Sequence, residues 1–402
     1  MDRSRTVSTR RLTTLISGLV FLDMITWLAA VPLVPVWQSE YGLSDDQAGI
    51  VLGAYAFSVL FAAIPAGIVS DRVGARRTML VGSAAFILAA PAFALADTFW
   101  LLILVRVVQG ACSAVTWSAG LAWLAGAVRE DERPRALSIV NAAATTGTIA
   151  GPLVGGPVVS AFGVTATFLA VGGLIALGVV WALVEPGGAP DVGRHHEPQR
   201  PLEALHRATH RGRLQMAYVS IGFIALMMAA LQLLAPLHLD AAGLSSAGIG
   251  WVFTVGSVLS VAAILAVGRL GRRIDPVRTL LLLPIVCGAL VTLMIAPVGV
   301  AGYSALLMAV MCLSSPVFTI AYTACADGAR DEGIGEGGAF ALMNAIWAAG
   351  SVLSPVLAGF VSQRGPAWAM YVFVGAASVG AVLVLRRSRD AFGRVLGGSE
   401  AA

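Results

Sequence analysis

The sequence predicts an all-α integral membrane protein in which twelve transmembrane helices form two pseudo-symmetric six-helix bundles. Its residues are 58% hydrophobic and only 12% charged, with a mean hydropathy of +0.85, whereas soluble domains carry about 25% charged residues. Apolar runs recur at close to the ~20 residues that a ~30 Å hydrocarbon core demands of a helix. An internal repeat also relates the two halves. The twelve runs are 13–37, 46–69, 78–96, 99–127, 136–160, 164–184, 214–236, 247–268, 279–297, 303–326, 338–361 and 367–385.

The charges predict how these spans are oriented. All 26 cationic residues are arginine, and they cluster before the first run, after every second run and at the end of the chain. The alternate loops hold only Arg364 and a few acids. We expect the protein to lie in the cytoplasmic (inner) membrane. The positive-inside rule then places both termini in the cytoplasm. The net charge of +4 then reflects topology and is no sign of nucleic-acid binding.

The first apolar run is expected to stay in the protein as a span that also directs insertion. It is too long for the apolar region of a signal peptide, and no small-residue cleavage site follows it.

A polar stretch at 185–213 separates two halves that resemble each other. Pro35, Gly42, Leu43 and Ser44 recur 201 positions later, and Asn141, Gly147 and Pro152 recur 203 positions later. Repeated six-helix units with a binding site between them are typical of secondary transporters. The expected domains are an N-terminal bundle (1–184), a cytoplasmic linker (185–213), a C-terminal bundle (214–386) and a cytoplasmic tail (387–402).

No metal or cofactor site is expected. His206 and His210 of the linker have i, i+4 spacing, which could hold a metal on a helix, but a solvated basic connector on the inner leaflet explains them better. The four cysteines fall in apolar segments without metal spacing.

Three short motifs carry candidate functional residues. Arg106 and Gln109 lie in the fourth span, where an arginine must face protein or a watery cavity unless it snorkels to the outer interface. The loop after the second span and the fifth span supply the other two motifs. They contain Gly67, Asp71, Arg72, Gly74, Arg76 and Arg77, and Gly147, Gly151, Pro152, Gly155 and Gly156.

The residue types suggest local roles for the last two motifs. Gly67 allows close helix packing, and Gly74 permits a tight turn. The charges around Asp71 form a cluster that plain positive-inside anchoring also explains. In the fifth span, glycine at every fourth position makes a smooth packing face, and Pro152 is expected to kink the helix.

Together these motifs resemble the signatures of the major facilitator superfamily. The loop reads G-x-x-x-D-R-x-G-x-R-R, the fourth span R-x-x-Q-G and the fifth span G-x-x-x-G-P-x-x-G-G. The last is similar to the antiporter motif of the twelve-span drug/proton antiporter branch. Asp23 followed by Pro32 and Pro35 resembles the first span of vesicular monoamine and tetracycline transporters, and the likeness covers residues 12–386.

The resemblance implies a role for each matching position. Asp71 would tie the N-terminal half to the start of span eleven and so act in a conformational gate with its loop. Arg106 would take part in proton transfer, and the glycine–proline face of span five would favour export. Asp23 would be a site for a proton or a substrate cation.

The sequence also departs from the resembled pattern. Asn344 stands where the vesicular amine branch has an acid in span eleven, and Arg272 stands where the first-half loop has Asp71. The core of span ten holds no acid, and Asp327 lies at its cytoplasmic end. A relay of several carboxylates is therefore absent, and a strict amine transporter is not indicated.

Asp23 itself is the main candidate for coupling. It lies about 16 Å from the inner end of span one, and Arg106 lies about 10–13 Å from the outer side. In a ~30 Å core these depths allow a direct or water-linked pair. Asp23 could then alternate between Arg106, a proton and a cationic substrate, although a buried pair that only fixes packing remains an alternative.

Four further side chains are candidates for the substrate cavity. They are Trp27, Gln109, Asn141 and Asn344. Trp27 lies one turn from Asp23 and could face an organic cation or lipid. Asn141 and Asn344, which the repeat relates, could bond substrate or a neighbouring helix.

The leading hypothesis is proton-coupled efflux of a lipophilic or cationic small molecule or drug by alternating access. The alternatives are a specific metabolite exporter, a proton symporter for uptake, and a membrane sensor that transports nothing. An enzyme is not expected, because no H-E-x-x-H, G-x-S-x-G or phosphate-binding glycine loop occurs. The expected partners are a small-molecule substrate, protons and the lipid bilayer, and by resemblance the protein is a monomer.

Overall fold

A computed structural model describes residues 9–129, 131–184, 212–270, 276–331, 336–366 and 368–399. These residues are helical apart from short connections, and no strand occurs among them. Span one comprises Thr9–Leu28, the 3-10 turn Val31–Leu33 and Val34–Tyr41; spans two to four are Asp45–Val73, Ala75–Ala94 and Phe99–Ala127; span five comprises Arg133–Leu153, the π-helical turn Val154–Val158 and Val159–Phe162; span six is Val164–Val184. Spans seven to twelve are Gly212–Ala241, Ser246–Leu270, Pro276–Leu293, Gly299–Asp331, Glu336–Arg364 and Ala369–Ser399.

The predicted all-α membrane fold is confirmed. Within the described ranges, eleven helical segments are long and apolar enough to cross a membrane. The ninth predicted span corresponds to a shorter apolar helix, Arg278–Leu293. The linker histidines and most of the linker lie outside the described residues, and span twelve continues as helix through the backbone of the predicted tail to Ser399.

The described residues divide into two compact units. The first unit contains those of Met1–His195 and Pro236–Thr254, and the second contains those of His196–Ala235 and Val255–Ala402. The contacts therefore group the end of span seven and the start of span eight with the first unit, whereas the sequence repeat divides the chain at the linker. The six-and-six domain boundaries stay a prediction.

The first unit is held together by close helix pairs. Span four packs on spans two and three, span one packs on span five, and span three packs on span six. Its core includes Leu12, Ile16, Phe86, Trp123 and Ile175, all buried. Because lipid is as apolar as these side chains, such contacts depend on close packing more than on escape from water.

The second unit repeats this kind of packing. Span nine packs on spans ten and twelve, and span ten also packs on span eleven. A buried cluster joins spans seven, ten and eleven through Leu214, Tyr218, Cys325 and Met343.

Two breaks in helical winding meet in the first unit. The first helix ends at Leu28, and the 3-10 turn and the next helix each carry a proline, Pro32 or Pro35, in their first turn, where the missing N–H costs nothing. The π-helical turn of span five, which contains Pro157, contacts this 3-10 turn. The kink expected at Pro152 is not at that residue, because the α-helix continues through Pro152 to Leu153. The winding changes just after it, in the π-helical turn Val154–Val158.

Candidate functional site

Asp23 lies at the centre of a buried polar cluster in the first unit. Its side chain is 0% exposed. Oδ1 accepts a hydrogen bond from the Tyr55 hydroxyl at 3.1 Å, and Oδ2 accepts hydrogen bonds from the Ser113 hydroxyl at 2.7 Å and the Trp117 indole at 3.1 Å. Three donors from spans two and four thus satisfy an ionised carboxylate, which can only accept.

Arg106 is the second ionisable group of this cluster and is also 0% exposed. Its Nη1 donates to Gln109 Oε1 at 3.1 Å and, more weakly, to the carbonyl oxygen of Thr26 at 3.5 Å. Gln109 in turn donates to the carbonyl oxygen of Ala89 at 3.3 Å. Among the described residues, Nε of Arg106 has no hydrogen-bond partner. The guanidinium is therefore held by amide and carbonyl oxygens.

Asp23 and Arg106 do not form a direct ion pair, since no such pair within 4.0 Å occurs between them in the described structure. They meet instead on one side chain. The Tyr55 hydroxyl bonds Asp23, and the centroid of its ring lies 4.7 Å from the Arg106 guanidinium carbon. A cation over an aromatic face at this distance is attracted by the ring quadrupole.

Trp27 completes the cluster on the side of span one. Its ring stacks on that of Tyr55, with centroids 5.9 Å apart and planes 9° from parallel. Trp27 is half-buried. In this structure it therefore supports the tyrosine that links the two charged groups.

Gly110 is what lets Tyr55 reach this position. A methyl group built on Gly110 would collide with the backbone carbonyl oxygen of Tyr55 and would lie 2.9 Å from Cβ of Ser58. Spans two and four thus cross with their backbones in contact. The glycine of the R-x-x-Q-G motif accordingly has a packing role beside the polar residues that precede it.

The sequence analysis missed Tyr55, Ser113 and Trp117. A signal for the last two existed, because side chains able to form hydrogen bonds recur in span four at positions 106, 109, 113 and 117 among others, spacings that place side chains on one helical face. No comparable signal marks Tyr55, since residues 48–69 around it carry no charge and Ser58 is its nearest polar neighbour in the sequence.

The glycines of span five pack against the part of span one that carries Asp23. A methyl group on Gly147 would lie 2.7 Å from Cβ of Met24, and one on Gly151 would lie 2.6 Å from Cβ of Leu28. One on Gly155 would collide with the carbonyl of Ala29. These three glycines therefore let span five pack closely against the part of span one next to Asp23.

Gly156 faces a different helix of the same unit. A methyl group there would lie 2.7 Å from Cα of Gly250 in span eight. Pro152 is buried beside this contact, with its carbonyl oxygen 2.6 Å from where a Gly250 methyl would stand.

The loop motif is only partly engaged. Arg76 donates to the carbonyl oxygens of Ala182 and Leu183, both at 3.0 Å, and so caps the end of span six. Asp71, Arg72 and Arg77 are exposed. Gly74 ends span two with φ at 100°, a conformation that glycine tolerates.

The close packing expected at Gly67 is not observed, since a methyl group there would meet no atom within 4 Å. The start of span eleven, to which Asp71 was expected to bind, adjoins residues 332–335, which lie outside the described ranges.

Asn141 and Asn344 lie in different units. The Nδ2 group of Asn141 donates to the carbonyl oxygen of Leu137 at 3.1 Å, and Oδ1 of Asn344 accepts from the Tyr322 hydroxyl at 3.0 Å. Both asparagines are exposed. An exposed amide within an apolar span indicates contact with water, because lipid cannot satisfy it.

Long apolar helices around a buried carboxylate and a buried guanidinium define a polytopic membrane protein with an intramembrane polar cluster. The chain belongs to the Major Facilitator Superfamily, whose family model matches residues 16–337. The fold and family are those of transporters.

Individual relatives are distant. The chain is 24% identical over 340 residues to "Multidrug resistance protein 2" of Bacillus subtilis (strain 168), covering 82% of this chain and 84% of that protein. It is 27% identical over 171 residues to "MFS-type transporter ppzB" of Metarhizium rileyi (strain RCEF 4871), covering 41% of this chain. The match spans about a third of the length of the two ppzB relatives, 35% and 36%.

A solved structure supports the fold. The nucleoside transporter NupG superposes with a TM-score of 0.74 at 14% identity, covering 94% of this chain and 98% of that chain. At this identity the likeness concerns the fold alone.

Proposed function

We propose that the protein is a proton-coupled antiporter that exports a lipophilic or cationic small molecule across the cytoplasmic membrane. The observation that carries this proposal is the buried cluster in which Tyr55 joins Asp23 to Arg106. An ionisable pair at this depth is costly to keep. Binding and release of a proton during transport would explain why this costly pair is present.

The geometry suggests how protonation of Asp23 would affect Arg106. Within the described ranges, Oδ1 accepts a hydrogen bond from the Tyr55 hydroxyl alone, whereas Oδ2 accepts from the Ser113 hydroxyl and the Trp117 indole. An indole N–H can only donate, but a tyrosine hydroxyl can also accept. A proton on Oδ1 is therefore accommodated when Tyr55 reverses its hydrogen bond, and the tyrosine carries that change to Arg106.

Asp23 is proposed as the proton site, because its burial leaves no room for direct contact with a substrate in this structure. Substrate contact is assigned to the exposed polar side chains Asn141 and Asn344. Export is supported by the resemblance of the span-five motif to the antiporter motif and by the similarity to Multidrug resistance protein 2 of Bacillus subtilis.

The test is proton movement in proteoliposomes. Wild type and Asp23→Asn would be reconstituted with a trapped pH-sensitive dye, and a pH gradient would be imposed before a panel of organic cations and neutral drugs is added. We expect at least one compound to trigger proton flux through wild type and none to do so through Asp23→Asn. Asp97→Asn, at an exposed loop residue, is the matched control and should behave as wild type.

Equal fluxes in wild type and Asp23→Asn would show that Asp23 only supports packing. Transport of a compound without any proton flux in wild type would overturn the coupling itself.

A further inference from the structure

The exposed side chains of the second unit differ sharply from one helix to another. Spans nine and twelve expose apolar side chains, as expected of a surface against lipid. These include Leu282, Ile285, Val286, Val372, Phe373, Val379 and Leu383. Span ten instead exposes Thr319, Tyr322 and Thr323, at i, i+3 and i+4 spacing on one face. This face of span ten is therefore suited to water or a polar ligand.

Tyr322 is part of a small constructed surface on this face. Tyr322 is 40% exposed, and its ring stacks on Phe340 of span eleven, with centroids 5.7 Å apart and planes 25° from parallel. Its hydroxyl donates to Oδ1 of Asn344 at 3.0 Å. We call these three residues, Tyr322, Phe340 and Asn344, the aromatic–amide patch.

The hydrogen bond from Tyr322 orients the Asn344 amide. With Oδ1 engaged, the remaining polar group is the Nδ2 amine, which carries two donors. No hydrogen bond among the described residues uses this amine. An exposed donor group thus stands beside an exposed aromatic ring.

The patch itself carries no charge. The nearest acid along span ten, Asp327, is bonded to Arg330 at 3.3 Å. Recognition here would therefore depend on shape and hydrogen bonding, with no requirement for a positive charge. Asn344 lies about 12 Å along its helix from Glu336, well inside span eleven.

We propose that the aromatic–amide patch binds the flat aromatic portion of the transported molecule together with one of its hydrogen-bond acceptors, such as a ring carbonyl. This inference rests on the proposed transport function and specifies its substrate class. The ring of Tyr322 supplies a stacking surface, and the Asn344 amine donates to the acceptor. The patch belongs to the second unit, whereas Asp23 belongs to the first.

Binding to the purified full-length protein in detergent, without any pH gradient, tests this inference. The probe is N-methylacridone, a flat fluorescent molecule with one ring carbonyl. Its partner probe is N-methyl-9,10-dihydroacridine, which lacks the carbonyl. Asn344→Leu should weaken binding of N-methylacridone about 3- to 10-fold, the range for one hydrogen bond, and should leave the partner probe unaffected.

Tyr322→Leu should weaken binding of both probes, because the stacking surface is lost. Tyr322→Phe keeps the ring and releases the Asn344 amide, so only N-methylacridone should lose affinity; this milder variant decides the question if Tyr322→Leu does not fold. Phe373→Leu, at an exposed aromatic residue of span twelve, is the matched control and should change nothing.

Two results would overturn the inference. One is a folded wild type that binds neither probe, and the other is equal affinity in wild type and the patch variants. Patch-dependent binding without proton flux in proteoliposomes would leave this inference standing and remove the antiport proposal.

Discussion

Tyr55 contacts both buried charged residues that the structure describes in the first unit. Its hydroxyl bonds Asp23, its ring lies against the Arg106 guanidinium, and Trp27 stacks on the same ring. Among the described residues, Cys112 of span four also lies close enough to Asp23 to interact with it electrostatically, and it is buried. Tyr55 is therefore the side chain that contacts both the carboxylate and the guanidinium.

Tyr55→Phe separates the two functions of this phenol. The ring contacts remain, but Asp23 loses one hydrogen bond to its ionised form, so a proton binds it more readily. We expect the pH of half-maximal transport to move toward alkaline values by about one unit, given the strength of a hydrogen bond to a charged group. The measurement is initial transport rate against pH in proteoliposomes.

The same profile in Tyr55→Leu distinguishes positioning from bulk packing. This variant also removes the ring, so both the midpoint and the maximal rate should change. An unchanged midpoint in Tyr55→Phe, with wild-type folding, would contradict a role for the hydroxyl in coupling.

At the scale of helices, the site depends on contacts that a side chain would prevent. Gly110→Ala places a methyl group against the Tyr55 carbonyl. We expect the free energy of unfolding to fall by about 1–3 kcal/mol, as in other overpacked cores, and transport to fall with it. Thermal unfolding in detergent measures the first effect.

Gly173→Ala in span six is the matched control for Gly110→Ala. A methyl group there meets no atom within 4 Å, so the better helix propensity of alanine should leave stability equal or slightly higher. Equal stability losses in both variants would show that the crossing of spans two and four is not specifically sensitive.

The sequence predicted where helices begin and end better than it predicted the breaks within them. The predicted fourth run, 99–127, coincides with Phe99–Ala127, because loops of opposite polarity bound a long apolar segment. The breaks after Leu28 and at Val154–Val158 were not predicted in place. Proline marks a weak point in a helix, but packing against another helix decides where the winding changes.

The charged residues of the site could be predicted from the sequence, whereas the uncharged residues that bond Asp23 were not. Asp23 and Arg106 stand out because an ionisable residue in an apolar run is unusual. Ser113 does not, since a serine or threonine hydroxyl in a membrane helix commonly bonds its own backbone, as Thr116 does to the Cys112 carbonyl oxygen. Tyr55 does not either, since a tyrosine is mostly ring and carries no charge. Whether such a hydroxyl meets Asp23 depends on helix register, which hydropathy does not report.

For the whole molecule, the arginine distribution predicts cytoplasmic termini. Alkaline phosphatase fused after Ser399 should be inactive, because the enzyme needs an oxidising exterior, and the same enzyme fused after Pro366 should be active. A fluorescent protein at the two positions should give the reciprocal pattern. Activity at both positions, or the reverse pattern, would contradict the proposed orientation.

The balance of charge in the Asp23 cluster has an electrical consequence. An ionised Asp23 and a cationic Arg106 sum to zero, so an added proton leaves one net positive charge near the middle of the bilayer. Full passage of one charge through 100 mV is worth about 2.3 kcal/mol, and entry to the midplane draws on roughly half of it. Under the proposed coupling, membrane voltage would therefore favour protonation of Asp23 from outside even when the pH is equal on both sides.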